Sequence, residues 1–300
     1  MRTLTFYIFY ITTRLIALLP LKGMFVFSDI ARFFVYYVFR YRRKTVAVNL
    51  RNSFPEKSSS ELKRIEKAFY KHFCDLFIET IYLLHANEEK ATKMCKFNNI
   101  EKVQKYYNEG KSLIIAAGHY SNWEVSSLIA RQTNHKVMGI YKPVENRKFE
   151  DFINRSREKF GAIAVPMHDA FRTVLSYQQQ GKLFFIGLIS DQTPARGDIR
   201  YWTTFLNQDT PVFLGVEKIA MKTNQPVFFC NMRKVARGKY EVNFDLLCEN
   251  PKESKPYEIT EMHVRALEKL IYEAPEYWLW SHRRWKFKRE NNRIVRQKIG

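Results

Sequence analysis

The residues whose types and spacing are best suited to chemistry are His119 and Glu124, in the segment Gly118-His-Tyr-Ser-Asn-Trp-Glu124. On one continuous helix, positions i and i+5 diverge by about 140°. Here the apolar run Ser112–Ala117 reads as a strand and a helical pattern begins near Asn122. His119 therefore falls on the connection, where a turn can bring its ring back toward Glu124. A carboxylate bonded to one ring nitrogen fixes the tautomer, stabilises the imidazolium and leaves the other nitrogen as a base. There is no GxSxG serine motif, and no cysteine accompanies this histidine. The simplest chemistry is direct deprotonation of a hydroxyl that then attacks an activated acyl group, with general-base help worth about 10²–10⁴-fold. A plainer reading also stands: Ser121-Asn-Trp-Glu124 has the form of a capping box. It accounts for Ser121 and Glu124 but not for a histidine at a strand end.

The elements that would position these residues follow from periodicity. Ser58-x-x-Glu61 has capping-box form and opens a long helix to about His85. Its stripe of Leu62, Ile65, Phe69, Phe73, Leu76, Ile81 and Leu84 reads as core packing, which gives His72 and His85 no separate role. Beyond a polar stretch at Ala86–Lys96, strand patterns at Ser112–Ala117, Lys136–Tyr141, Ala162–Val165 and Leu183–Ser190 alternate with helical ones at Asn122–Gln132, Arg147–Phe160 and Asp169–Gln180. A helix near Val212–Thr223, a hairpin of Pro226–Met232 with Lys239–Leu247, and a last helix at Tyr257–Ala274 complete the pattern. The alternation predicts an α/β fold, a mostly parallel sheet flanked by helices. Ligands of such sheets collect at the carboxyl ends of strands. Gly118-His119, Tyr141-Lys142-Pro143 and Asp191-Gln192 should thus share one crevice. On the helix Arg147–Phe160, Arg157 falls about 60° from the centre of the apolar stripe and Arg155 about 120°. Arg157 is therefore partly inside and needs an anion, either a substrate phosphate or an internal carboxylate.

Charge and hydropathy point to a surface of opposite sign. The 300 residues carry 50 Lys+Arg against 30 Asp+Glu, a net charge of +20, with 46% hydrophobic residues. A folded chain so basic suits a polyanion: nucleic acid, an anionic membrane face or a phosphorylated substrate. Two apolar N-terminal stretches, Leu4–Leu19 and Met24–Phe39, are interrupted by Arg14, Asp29 and Arg32 and lead into Arg40-Tyr-Arg-Arg-Lys44. Neither offers the roughly 20 uncharged residues of a standard membrane span. Rings and leucines beside a basic block suit membrane-associated helices, whether crossing or lying in the interface, although buried helices of a soluble protein share the pattern. Residues 1–45 then form an anchoring segment and 46–300 the main domain. The ending Trp278-Leu-Trp-Ser-His-Arg-Arg-Trp285-Lys-Phe-Lys-Arg289 interleaves rings with cations, a pattern for stacking bases or for a membrane interface. Arg40, Arg42 and Arg43 at one end, and Arg283 and Arg284 at the other, are the cations expected to contact anionic lipid. The four cysteines form no CxxC pair and the seven histidines no HxxxH or HExxH spacing, so a reduced interior and no metal are expected.

Five segments in order resemble the lipid A biosynthesis (lauroyl/myristoyl) acyltransferases, within the lysophospholipid acyltransferase superfamily. They are His119–Glu124, Tyr141-Lys-Pro143, Arg155-Ser-Arg-Glu-Lys-Phe-Gly161, Asp191-Gln192 and Trp278-Leu-Trp-Ser-His-Arg-Arg-Trp-Lys286. The resemblance spans nearly the whole chain and implies a glycerol-phosphate-acyltransferase-like fold. It implies an acyl carrier protein or acyl-CoA thioester as donor, a phosphorylated glycolipid as acceptor and no cofactor. The place of work would be the cytoplasmic face of the inner membrane, with no nucleic acid as partner. It makes His119 and Glu124 a catalytic dyad, Arg157 a binder of phosphate or transition-state charge, and Asp191 and Gln192 site residues. The chain departs from the family's usual pattern at Thr193-Pro-Ala-Arg and Phe205-Leu-Asn. An aminolipid or a polyene-type pigment is the alternative acceptor.

Overall fold

The computed structural model describes residues 2–290 and 293–296. The chain begins with α1 (Arg2–Ile16) and α2 (Leu21–Phe33), which runs into a π-helical turn at Phe34–Val38. Next come α3 (Arg43–Ser53) and α4 (Ser59–His85). The start of α4 is set by the reciprocal box: Ser58 Oγ accepts from the Glu61 N–H, and the Glu61 carboxylate accepts from the Ser58 N–H. Ile65, Phe69, Ile78 and Leu83 bury one face of this helix, and His72, Asp75 and Glu79 are buried with them. The helix is thus also a source of polar anchors that its apolar stripe did not announce.

After α5 (Glu88–Thr92) the sheet is built from β1 (Cys95–Phe97), β2 (Leu113–Ala117), β3 (Lys136–Tyr141), β4 (Ile163–Pro166), β5 (Phe184–Ile189), β8 (Val227–Ala236) and β9 (Lys239–Cys248). Their order is β1-β9-β8-β2-β5-β3-β4, and every pair is parallel except β8 with β9. Between strands lie α6 (Ile100–Asn108), a 3₁₀ helix at Trp123–Arg131, α7 (Arg147–Glu158), α8 (Ala170–Gln179), α9 (Gly215–Thr223) and α10 (Glu258–Glu273). The expected strands lie within a residue or two of their places, except that β8 runs four residues past the expected end at Met232. The helix expected from Val212 begins instead at Gly215, because β6 (Tyr201–Phe205) and β7 (Gln208–Val212) form a small hairpin. Its turn uses left-handed Leu206 and Asn207, φ 49° and 61°, a two-residue turn that suits the twist of paired strands.

No helix of the described residues is long and apolar enough to cross a membrane. The N-terminal helices expected to be membrane-associated are therefore not spans. One side of α2 packs on α4, where Arg237 ties Asp29 to the buried Asp75 at 2.9 and 2.6 Å. The other side leaves Val26, Phe27, Ile30, Phe33 and Phe34 exposed, and Phe39 is 72% exposed.

Some expected lipid-facing cations lie elsewhere. Arg40 and Arg283 are exposed, and Arg42, also exposed, reaches the carbonyl of Ser281 at 3.0 Å. Arg43 pairs with Glu66 at 3.0 Å and stacks over Tyr36, so its charge is already taken inside the protein. Arg284 is 1% exposed and cannot meet a headgroup. The tail pattern misled because Trp278, Trp280 and Trp285 are core residues, with Trp278 and Trp280 meeting edge to face at 4.7 Å. Phe287 and the hairpin β10 (Phe287–Glu290) with β11 (Arg293–Arg296) follow.

Candidate active site

β2 and β5 run side by side with Ala117 opposite Ile189, and the Ser190 N–H continues the ladder to the Ala117 carbonyl. Two residues past each strand end stand His119 and Asp191, so the register sets them face to face. His119 Nδ1 lies 2.6 Å from Asp191 Oδ1. Asp191 Oδ2 accepts from the backbone N–H of His119 at 2.9 Å and from the indole N–H of Trp278 at 2.7 Å. Burial drives the Asp191 pKa up, but His119 and these donors outweigh it and hold the carboxyl at about 2. The ionised carboxylate keeps a proton on Nδ1. Nε2 is left with its lone pair, to which the Gln192 amide donates at 3.2 Å.

The loop that carries His119 is fixed on every side. A Cβ at Gly118 would lie 2.6 Å from a terminal methyl of Leu267, so any larger residue there must push that side chain of α10 aside. The His119 carbonyl accepts from Leu279 N–H at 3.1 Å, and Ser121 N–H donates to the Tyr277 carbonyl at 2.9 Å. Ser121 takes the left-handed conformation, φ 58°, with its carbonyl 3.2 Å from His72 Nε2. The cap expected of Ser121 is made by Asn122, whose Oδ1 accepts from Glu124 N–H at 3.1 Å while its Nδ2 donates to the buried Glu79 at 2.7 Å. Glu79 also takes the Tyr240 hydroxyl at 2.5 Å, and burial pushes its pKa up.

Glu124 does not orient His119, and that expectation is corrected. Its carboxylate is held by Arg157, with Nη2 at 2.9 and 3.1 Å from its two oxygens and Nε at 3.2 Å, and by the Trp123 indole at 3.2 Å. The reason is competition: Asp191 takes both N–H groups of His119 from the next strand, while a guanidinium waits within reach of Glu124. Trp123, which bonds Glu124, meets the His119 ring edge to face at 4.9 Å. Arg157 thus has the internal carboxylate of the two partners its helical position required, and Arg155 is exposed.

His119, Arg157 and Gln192 open on a cleft of about 1430 Å³, walled by Phe171 and Leu188 and by Lys142, Lys218 and Lys222. These lysines meet no carboxylate among the described residues, whereas Glu150 and Glu217 on the same wall bond backbone N–H groups of Val144, Tyr257 and Thr260. Behind Trp123 and Glu124 lies a second, apolar cavity of about 100 Å³, lined by Ile115, Phe185 and Leu270. Gly139 and Gly187, paired across β3 and β5, form part of its wall, and a Cβ at Gly139 would meet nothing within 4 Å. Glycine in mid-strand marks space kept for something else. No cluster of three or more His, Cys, Asp or Glu among the described residues is arranged to hold a metal.

The sequence model of the bacterial lipid A biosynthesis acyltransferases matches residues 1–287. The chain belongs to this family. It is an acyltransferase of lipid A biosynthesis, which requires an acyl donor and a glycolipid acceptor. No curated protein matches it significantly. In this lipid A acyltransferase the C-terminal box supports the active-site loop: Trp278 bonds Asp191, and Thr193 Oγ1 donates to the Arg284 carbonyl at 2.6 Å. Thr193, one of the points of departure from the family pattern, therefore ties the Asp191-Gln192 loop to that box. Neither contact had a signal in local spacing, because 87 and 91 residues separate the partners.

Proposed function

We propose that this acyltransferase moves a fatty acyl chain from an acyl carrier protein or coenzyme A thioester to a hydroxyl of a phosphorylated lipid A precursor. His119 is the general base and Asp191 its orienter. The acceptor hydroxyl displaces Gln192 from Nε2 and gives up its proton there as its oxygen attacks the thioester carbonyl. The carbon–sulfur bond then breaks, and the thiolate leaves with the proton carried by the imidazolium. No acyl-enzyme forms. Arg157, held by Glu124, faces the negative charge of the carbonyl oxygen or a substrate phosphate. The end of the acyl chain enters the apolar cavity behind Trp123, and the glycolipid lies in the large cleft, its phosphates met by the wall lysines. The exposed apolar side chains of α1, α2 and the π-helical turn lie flat in the membrane interface at the cytoplasmic face, with Arg40 and Arg42 toward anionic headgroups.

The observation that carries this reading is the His119–Asp191 pair, its carboxylate buried and its Nε2 turned to a cleft of lipid size. The test is acyl transfer from labelled acyl carrier protein to a lipid A precursor, followed by mass spectrometry of the lipid. His119→Ala should lose the activity while keeping its fold; transfer at the parental rate would end the proposal. Unchanged lipid A in a strain lacking the gene, with another lipid short of a chain, would point to a different acceptor. Flotation with anionic vesicles tests the membrane seat, which fails if the protein stays at the bottom of the gradient.

A further inference from the structure

Beneath Asp191 lie polar groups that the proposed reaction leaves unused. Arg284, 1% exposed, donates through Nη2 to the Pro211 carbonyl at 2.7 Å, but its Nε and Nη1 are buried without a partner. His263 of α10 is 5% exposed, and its Nε2 is in the same condition. Both side chains border one small void of about 20 Å³, whose wall also includes Asp191 and Ser190 and is otherwise made of apolar side chains. Buried polar atoms are nearly always bonded, so three orphans on two neighbouring side chains require a partner. A void of about 10–15 Å³ holds one water, which needs two to four polar contacts. An anion is disfavoured by the carboxylate on the same wall.

Charge adds a second argument. A buried guanidinium without an anion is strongly disfavoured. Arg284 makes no salt bridge among the described residues, and Asp191 is the only carboxylate on the void's wall. Burial lowers the Arg284 pKa to about 10, opposed by Asp191, so the side chain stays charged at neutral pH.

We propose that one ordered water fills this void, bonded to Arg284 and His263, and that Arg284 is the buried counter-charge of Asp191. It is a positioning residue, and its role rests on the reading of His119 as the base. Asp191 alone would favour the imidazolium, which cannot accept a proton. The guanidinium behind it offsets the negative charge of Asp191 from the side opposite His119, so the carboxylate is not an uncompensated buried anion. The other titratable or charged groups around the pair are His282 of the C-terminal turn, His263 of α10, and Glu124 with Arg157. Burial lowers the pKa of His282 and of His263 to about 4, so both are neutral near pH 7.

The experiment is kcat/KM against pH for the parent, Arg284→Lys and Arg284→Met, with a crystal structure of the parent. Arg284→Met should move the acid limb up by about one pH unit and recover activity in alkali, while Arg284→Lys keeps the parental midpoint. A profile scaled down with an unchanged or lowered midpoint overturns the proposal, since that is what a merely structural role gives. The crystal structure does not depend on whether Arg284→Met folds. Density for one water bonded to Arg284 and His263 supports the site, and an empty void refutes it. Failure of the base reading shows separately, as an acid limb that survives in His119→Ala.

Discussion

Asp191→Asn separates the mechanism drawn from this structure from one in which Glu124 orients the base. Asp191 accepts three hydrogen bonds, with Oδ1 taking His119 Nδ1–H and Oδ2 taking both the His119 backbone N–H and the Trp278 indole N–H. An asparagine has one acceptor oxygen and one amide nitrogen in the same space. The two donors at Oδ2 are fixed, so the oxygen must face them and the NH₂ must face Nδ1. That forces Nδ1 to accept and places the ring proton on Nε2, where the substrate proton has to go. A histidine in the wrong tautomer costs about 10³–10⁴-fold in kcat, the range known for other histidine–carboxylate pairs. The assay is initial acyl-transfer rate at saturating donor, with thermal unfolding to show that the variant is folded. A folded Asp191→Asn enzyme that keeps more than about a tenth of the parental kcat would refute the assignment, because no tautomer penalty is that small.

Three more outcomes follow from the same geometry. The Asp191 carboxyl titrates at about 2 in the folded protein, below its unfolded value near 3.9, so its contribution is present above pH ~4 and lost as pH falls through about 2. Denaturant titrations should show about 2 kcal/mol of stability disappearing over that window, and equal acid sensitivity in Asp191→Asn would contradict it. Gly139→Leu should fill part of the apolar cavity and shift donor preference to shorter chains, at about 0.8 kcal/mol or fourfold per excluded methylene; an unchanged chain-length profile would remove the acyl chain from that cavity. Because Glu124 and Arg157 hold each other, Glu124→Gln and Arg157→Met should each lower kcat/KM, and the double variant should be no worse than the poorer single one. Losses that multiply would mean that the two act independently.

The layered α/β plan was legible because strand periodicity and helix stripes alternate cleanly along the chain, and β3 was readable to the residue. The short β1 and the β6–β7 hairpin were not, since three to five residues carry too little period to separate from loop. The strand-end rule brought His119, Asp191 and Gln192 to one crevice from sequence. What it could not supply was strand order. Once β5 is known to lie beside β2, with Ala117 opposite Ile189, the contact of His119 with Asp191 follows from counting two residues past each end. Without that neighbour, Glu124 was the only acidic residue near in sequence, and local spacing favoured it.

The same limit explains the C-terminal box. Trp278, Arg284 and Trp285 read as a surface because rings and cations alternate, and alternation is also what a binding face would show. In the fold the alternation serves opposite ends of one structure. The indoles build a wall that carries a hydrogen bond to Asp191, and Arg284 lies buried behind the same carboxylate. A cation placed there weakens the pull of Asp191 on a proton at His119. In the proposed mechanism the strength of the base is set from two directions, by Asp191 on the strand beside it and by a residue 93 positions further along the chain that never touches the substrate.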